Sequence, residues 1–340
     1  MKVLRFLSTN YRELYLNDDY RVLAAPDSYI IKFRYQRKWI QPEVLKEVLL
    51  GHFQGTNAII EMGVNDNEIE QKNVSMQIFP LRRASVAAIR YPHCNKGLDS
   101  DSDLFEFYLK LGDFIKYRDN YDTSVFKFVS FADDNHYQQT NWDQLTDDIR
   151  KRSKVRLFGK APLINIVGLG AYRRKKGNSD LPTWEELSYK NTYKLKNDSL
   201  YFIRIKEKKY EDADLSQPVS LDLEDITQNN SEKNESISLN APRDQVDIEF
   251  FTKSSSEKSE NVDLKISTSD CIDLNTNNIS LSFKVSLSKK LYDYIVIFVS
   301  AYLLSLSIVL GSRQVSLSSF LFPIIPTFVA CLLFWAFNKK

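Results

Sequence analysis

The 340-residue sequence predicts an α+β fold in three parts. A β-rich cytosolic domain fills residues 1–210, an acidic β-module or stalk fills 211–288, and a C-terminal two-helix transmembrane hairpin fills 289–340. Three observations carry this. Short runs of Phe, Tyr, Val and Ile broken by polar turns occupy the first 210 residues. Period-two alternation persists through the Ser-, Asn- and acid-rich stretch that follows. Two apolar stretches then close the chain.

In the first part the strand candidates are Ser28 to Lys38, Ala58 to Val64, Ser75 to Phe79, Ser85 to Tyr91, Leu104 to Tyr117, Ser124 to Phe131, Leu163 to Tyr172 and Tyr201 to Lys208. Three helices interrupt them. Pro42 in a first turn, Val44, Leu45, Val48 and Leu49 on one face, and Gly51 past the end define the first. Trp142, Leu145 and Ile149 at helical spacing define a second, from Thr140 to about Lys151. The box from Thr183 to Glu186 is the N-terminal signature of a short third. In the second part Val219, Leu221 and Leu223, Val246, Ile248 and Phe250, Val262, Leu264 and Ile266, and Ile279 to Leu287 each alternate as half-buried strands do. A disordered linker is the competing assignment there, because aromatic residues are few.

Leu291 to Leu310 is twenty residues with one charge, Asp293, and Phe320 to Phe337 is eighteen residues with none. A helix of twenty residues rises about 30 Å, the thickness of a hydrocarbon core. Pro323 and Pro326 are tolerated in such a helix at the cost of a kink. Lys289, Lys290, Lys339 and Lys340 flank the pair while Arg313 stands alone in the intervening loop, which places both termini in the cytoplasm. Tyr292, Tyr294 and Trp335 then fall at one interface. No secretory signal is legible at the N-terminus. Cys94, Cys271 and Cys331 are odd in number and widely spaced, so no disulfide is expected.

The net charge of +2 conceals segregation. Arg150, Lys151, Arg152, Lys154, Arg156, Lys160, Arg173, Arg174, Lys175 and Lys176 are ten cations in a segment with no acid, whereas 211–274 holds sixteen acids against five bases. Cations without counter-charges recruit phosphates, and Phe158 and Tyr172 stand close enough in sequence to stack on bases. Lys32, Arg34 and Lys38, with Tyr35 and Trp39, form a second strip on the first long strand. Helix-end complementation, a solvated turn and attraction to acidic lipid or to the acidic module explain the same cations without a ligand.

Catalytic patterns are thin. His52, His93 and His136 share no metal-ligand spacing, so neither a metal nor a cofactor is expected. Asp198, Glu207 and Lys209 follow the acid, acid, lysine order of metal-dependent nucleases at loose spacing, with a solvated strand edge as the plainer reading. Gly168 and Gly170 lack the third glycine of a dinucleotide fingerprint. Asp133 and Asp134 read as a turn cap, or as ligands of a cation. In the first apolar stretch Asp293, Ser300, Ser307 and Gly311 stay within about 40° on a helix, forming either a packing seam or one wall of a pore closed by oligomerisation.

Spans 291–310 and 320–337 together with the basic segment 150–176 give a layout that resembles the two-span effectors of bacterial anti-phage defence, most of all the channel subunit of Hailong-type systems. The resemblance implies a ligand-regulated homo-oligomeric channel of the cell inner membrane, tetrameric in that family. Its cytosolic domain binds a nucleotide or oligonucleotide, and a nucleotidyltransferase partner makes the signal. Residues 150–176 are then the ligand site and the Asp293 stripe the conduit. The alternatives are a membrane-anchored nuclease and a tail-hairpin scaffold.

Overall fold

The structure is a computed structural model that describes residues 2–9, 13–53, 55–64, 77–91, 103–118, 127–152, 163–173, 183–188, 192–196, 199–208, 220–224, 245–252, 261–269, 280–288, 299 and 302. In chain order the first elements are β1 (Lys2–Thr9), α1 (Glu13–Ala24), β2 (Ile30–Gln36), α2 (Pro42–Leu49), β3 (Asn57–Val64), β4 (Gln77–Arg90), β5 (Leu104–Tyr117), β6 (Val129–Asp133), β7 (Tyr137–Gln139) and α3 (Trp142–Arg152). Their strands make one sheet in the order β2-β5-β4-β3-β1-β6, with β7 paired to the end of β5. Only β1 and β3 run parallel in it. α2 begins at Pro42 and ends before Gly51, whose φ of 75° closes the helix in the left-handed region.

The remaining elements are β8 (Leu163–Arg173), β9 (Thr183–Glu186), β10 (Tyr193–Lys196), β11 (Leu200–Lys208), β12 (Ser220–Glu224), β13 (Gln245–Phe251), β14 (Asn261–Ser269) and β15 (Ser280–Ser288). They form two four-stranded sheets, β13-β11-β8-β9 and β10-β15-β14-β12. Strands of the acidic stretch therefore pair with strands that precede it: β13 lies antiparallel on β11, and β15 parallel on β10.

One apolar core joins all three sheets. α1 packs against β1, β2, β4 and β8, and its Tyr20, Val22, Leu23 and Ala24 are buried in the same apolar cluster as Leu4, Phe6, Ala84 and Val86. Phe6, Tyr35 and Phe107 contact one another edge-on or tilted, with ring centroids 5.1–6.1 Å apart. Tyr29 meets Phe283 of β15 at 5.2 Å, which carries the core into the third sheet.

Arg82 lies at the centre of this packing with a side-chain exposure of zero. Its Nε donates to the Gly112 carbonyl at 2.7 Å, and its Nη1 donates to the Ala25 and Val22 carbonyls at 2.6 and 3.3 Å. Nη2 pairs with Asp27, and the guanidinium lies 4.2 Å from the centroid of Phe114. Those carbonyls at the end of α1 have no partner of their own within the helix. Burial pulls the Arg82 pKa down to about 10, and Asp27 and Asp113 oppose the shift.

Several expectations are corrected. Among the described residues no helix is long and apolar enough to cross a membrane, and strands predominate there over three α-helices. The expected C-terminal two-helix transmembrane hairpin is therefore not part of the described fold. The two-span inner-membrane localisation with cytoplasmic termini, which rested on it, falls with the same finding. Stretches 291–310 and 320–337 lie outside the described residues apart from Val299 and Tyr302. Hydropathy over twenty residues is a property a span requires, but it does not itself supply a helix of spanning length.

Thr183 to Glu186 is a strand rather than a helix start, because pairing with β8 satisfies its backbone from Gly170 to Arg173. The strands expected at Ser75 to Phe79 and Ser85 to Tyr91 are one strand, β4. Pro80 is accommodated where the β3 register shifts between Ile60 and Glu61. β1 and α1 carry no expectation from the sequence. Residues 2–9 are buried on both faces apart from Lys2, so they show no alternation.

Two stability measurements follow. Arg82→Ala leaves the Gly112, Val22 and Ala25 carbonyls without a donor, and chemical denaturation should show a loss of roughly 2–4 kcal/mol. Asp19 of α1 is fully buried, and burial raises its carboxyl well above the ordinary range against the opposing Ser8 hydroxyl. The native state thus holds that proton to higher pH than the unfolded chain. Its stabilising contribution is complete below the unfolded pKa and is lost as pH rises through the native one. Asp19→Asn should raise the thermal midpoint at neutral pH and flatten the dependence of stability on pH.

Candidate functional site

The seven-stranded sheet has one face against α1 and a second that turns outward. Along β2, Ile31, Phe33 and Tyr35 enter the core while Lys32 and Arg34 stand in solvent. On β5, Phe105, Phe107 and Leu109 enter the core, leaving Glu106, Tyr108 and Lys110 outward. A register shift between Val86 and Ala88 of β4 inserts one residue, so that Ile89 packs on the core and Arg90 faces out. Pairing then aligns three outward rows: Lys32, Tyr108 and Ala88; Arg34, Glu106 and Arg90; Ile30, Lys110 and Ser85. These rows hold four cations and one carboxylate.

Tyr108 is the organising side chain. Its hydroxyl donates to Glu106 Oε2 at 3.0 Å, and the Arg90 guanidinium lies 5.0 Å from its ring centroid. Glu106 Oε1 accepts from Arg34 Nε at 3.1 Å and Lys32 Nζ at 3.5 Å. The hydrogen bond from Tyr108 holds the Glu106 carboxyl below its ordinary range, with Lys32 and Arg34 adding to it. Desolvation and the bond to Glu106 raise the Tyr108 phenol. The cluster is a cradle for an oxyanion, with the chain's own carboxylate lying in it.

β2 runs into a 3₁₀ turn over Arg37–Trp39. Trp39 is 40% exposed and stacked on Phe128 at 4.9 Å and 30°. Lys38 Nζ lies 5.3 Å from the Trp39 ring centroid, and Lys127 Nζ donates to the Lys38 carbonyl at 2.6 Å. Of the strip read from the sequence, Lys32, Arg34, Lys38 and Trp39 are thus at the surface. Tyr35 is buried, with its hydroxyl on the Leu7 carbonyl at 3.2 Å.

Further across the outward face the residues Asp133–Gln139 lie over the sheet. Glu61 is fully buried there, its Oε1 accepting from Tyr117 and Tyr137 at 2.7 and 2.8 Å. Arg5 Nε faces its Oε2 at 3.8 Å and donates to Ser130 Oγ at 3.0 Å. Burial raises the Glu61 carboxyl against the pull of Arg5 and the two tyrosines. Asp133 caps the short turn by accepting from the Asn135 N–H at 3.1 Å, and Asp134 pairs with Arg83. The cap reading describes Asp133, whereas Asp134 is held in an ion pair.

The basic segment 150–176 is divided by the fold. Arg150, Lys151 and Arg152 form the last turn of α3, and Arg152 pairs with Asp148 at 3.0 Å and lies 4.9 Å from the Phe79 ring centroid. Arg173 ends β8, paired with Glu185 at 2.9 Å. Lys154, Arg156, Lys160, Arg174, Lys175 and Lys176 lie outside the described residues, as do Asp293, Ser300, Ser307 and Gly311. Asp198 and Lys209 also lie outside them, and Glu207 is known only as a strand residue opposite Ile164.

Tyr172 belongs to a different cluster. Its hydroxyl bonds Asp247, whose carboxylate also accepts Arg204 Nε and Nη2 at 2.8 and 2.9 Å. Trp184 lies 3.9 Å under the Arg204 guanidinium, and Tyr172 meets Trp184 and Phe202 edge-on. The hydrogen bond from Arg204 holds Asp247 below its ordinary range, and the hydrogen bond to Asp247 raises the Tyr172 phenol against the opposing pull of Arg204. Because Arg204 and Asp247 face each other across β11 and β13, the cluster reads as a clamp between strands.

Sequence reasoning found Lys32 and Arg34 but missed Glu106, Tyr108, Lys110 and Arg90. For the three β5 residues the available signal was the alternation of Phe105, Phe107 and Leu109 with Glu106, Tyr108 and Lys110. No family model matches the chain, and no curated protein or solved structure matches it either.

Gly168 and Gly170 have a packing reason in this fold. A Cβ on Gly170 would lie 2.5 Å from the Glu185 carbonyl oxygen and 2.6 Å from Trp184 Cζ2. Gly170→Ala should therefore loosen β9, lower stability by about 1–3 kcal/mol and shift Trp184 fluorescence to the red.

Proposed function

We propose that the chain binds a phosphodiester ligand, an oligonucleotide, across the outward face of β2, β5 and β4. The observation that carries this reading is the set of three outward rows in which Lys32, Arg34, Arg90 and Lys110 surround Tyr108 with Glu106 as their one carboxylate. Cations in that density gain affinity by releasing the counterions of a polyanion. An outward ring on a sheet, with the Trp39 and Phe128 stack beyond the end of β2, supplies surfaces on which unstacked bases rest. Crossing three strands covers about 10 Å, more than one phosphate occupies. The ion channel and its tetramer depended on the terminal spans and form no part of this proposal.

A second region is favoured by its charge alone: the ten cations and no acids of 150–176. The two regions are separable by anisotropy of labelled single-stranded DNA and RNA oligomers. Lys32→Glu with Arg34→Glu should weaken binding at least tenfold and reduce the dependence on salt by about one unit of slope for each phosphate no longer neutralised. Reversal of Arg173, Arg174 and Lys175 to Glu should leave the affinity within about twofold of the parent if the face is the site. The opposite pattern moves the site to 150–176. Parental affinity in both variants removes the proposal.

A further inference from the structure

We infer that Arg83 is a further phosphate-contacting residue of this face and that Asp134 occupies its place in the free protein. The inference rests on the oligonucleotide reading above. Arg83 and Ser85 alternate with the core residues Ala84 and Val86, so both face outward. Ser85 lies opposite Lys110, and the next outward position along β4 is Arg83, with the backbone of Gly112 beside it. From Arg90 to Arg83 the strand covers on the order of 20 Å, so Arg83 extends the cationic rows toward β3. No side chain stands at Gly112 to separate Arg83 from them.

Arg83 is nevertheless neutralised. The Asp134 carboxylate pairs with its Nη1, in a pair whose side chains are 32% and 24% exposed. Asp134 belongs to a short turn between β6 and β7 whose fixed points are elsewhere: the Asp133 cap, three pairs between β7 and β5, and the Tyr137 hydroxyl on Glu61. A phosphate oxygen can therefore replace the Asp134 carboxylate on Arg83 by a side-chain rotation that leaves the turn in place. Glu106 stands in the same relation to Lys32, Arg34 and Tyr108 at the other end of the rows.

Two carboxylates at the two ends of one cationic face select for ligands that carry several phosphates. A lone phosphate displaces one carboxylate and gains little, because it exchanges one exposed ion pair for another. A chain of linked phosphates displaces both, and after the first exchange the second is intramolecular. The face therefore favours an oligonucleotide over inorganic phosphate by more than the ratio of their charges.

The test measures anisotropy of a fluorescein-labelled single-stranded DNA decamer against wild type, Asp134→Asn, and Asp134→Asn with Arg83→Gln, with thermal melts confirming the fold of each. Lys32→Glu with Arg34→Glu monitors the underlying reading. Asp147→Asn supplies the same change of net charge on α3, where Asp147 pairs with Lys208. Asp134→Asn should tighten binding about two- to fivefold, the worth of one exposed ion pair. Arg83→Gln should erase that gain, and Asp147→Asn should leave affinity at the parental value. Equal gains in Asp134→Asn and Asp147→Asn overturn the inference, since net charge alone would then account for them. Unchanged affinity in Asp134→Asn alongside a loss in Lys32→Glu with Arg34→Glu overturns the inference and leaves the oligonucleotide reading standing. Unchanged affinity in both overturns the two together.

Discussion

The guanidinium of Arg82 meets the end of α1, the loop that follows it and the β5 backbone at Gly112 in one buried group. A charge this deep is costly unless each of its donors is used, and here the helix carbonyls that need donors are the ones it reaches. The consequence is positional. α1 is fixed across one face of the sheet, packed on β1, β2 and β4 with its apolar residues in the common core, and it packs on β8 as well. Covering that face commits every core-facing residue of β2, β4 and β5, and the alternate residues of those strands are left to face outward.

That outward face is chemically uneven. Near β1 and β3 it is closed by the residues of β7 and the turn before it, over a fully buried glutamate with two tyrosine donors. Near β2 it is open and cationic. The register shifts in β4 set the boundary, because each inserted residue reverses which side chains face out. Arg82 and Arg83 are neighbours in sequence with opposite fates, one a buried clamp and the other an outward cation. Their assignment depends on a bulge rather than on either residue's own character.

Carboxylates govern the electrostatics of the open region. Lys32 and Arg34 converge on Glu106, and Arg83 on Asp134, so the free protein limits the mutual repulsion of its cations by pairing them internally at the surface. Such pairs are weak and exchangeable in water, whereas the Arg82 network is neither. The same residue type serves architecture in one place and recognition in the other, divided by its distance from solvent.

Local properties of the sequence determined the alternating strands from Ile30 to Gln36 and Leu104 to Tyr117, the bounds of α2 through Pro42 and Gly51, and the exposure of Lys32 and Arg34. Each follows from a period or a dihedral preference within a few residues. The box at Thr183 did not determine a helix, because pairing with β8, whose nearest paired residue is ten positions away, set the outcome. Only the tertiary structure decided that Lys32 meets Glu106, 74 residues away, that Tyr108 stands among four cations, and that β10 pairs with β15 and β11 with β13. Hydrogen-bonded pairing between strands carries no local signature of its partner, and one inserted residue reverses a face. The members of the site were therefore readable singly in the sequence, while their meeting was settled by the sheet.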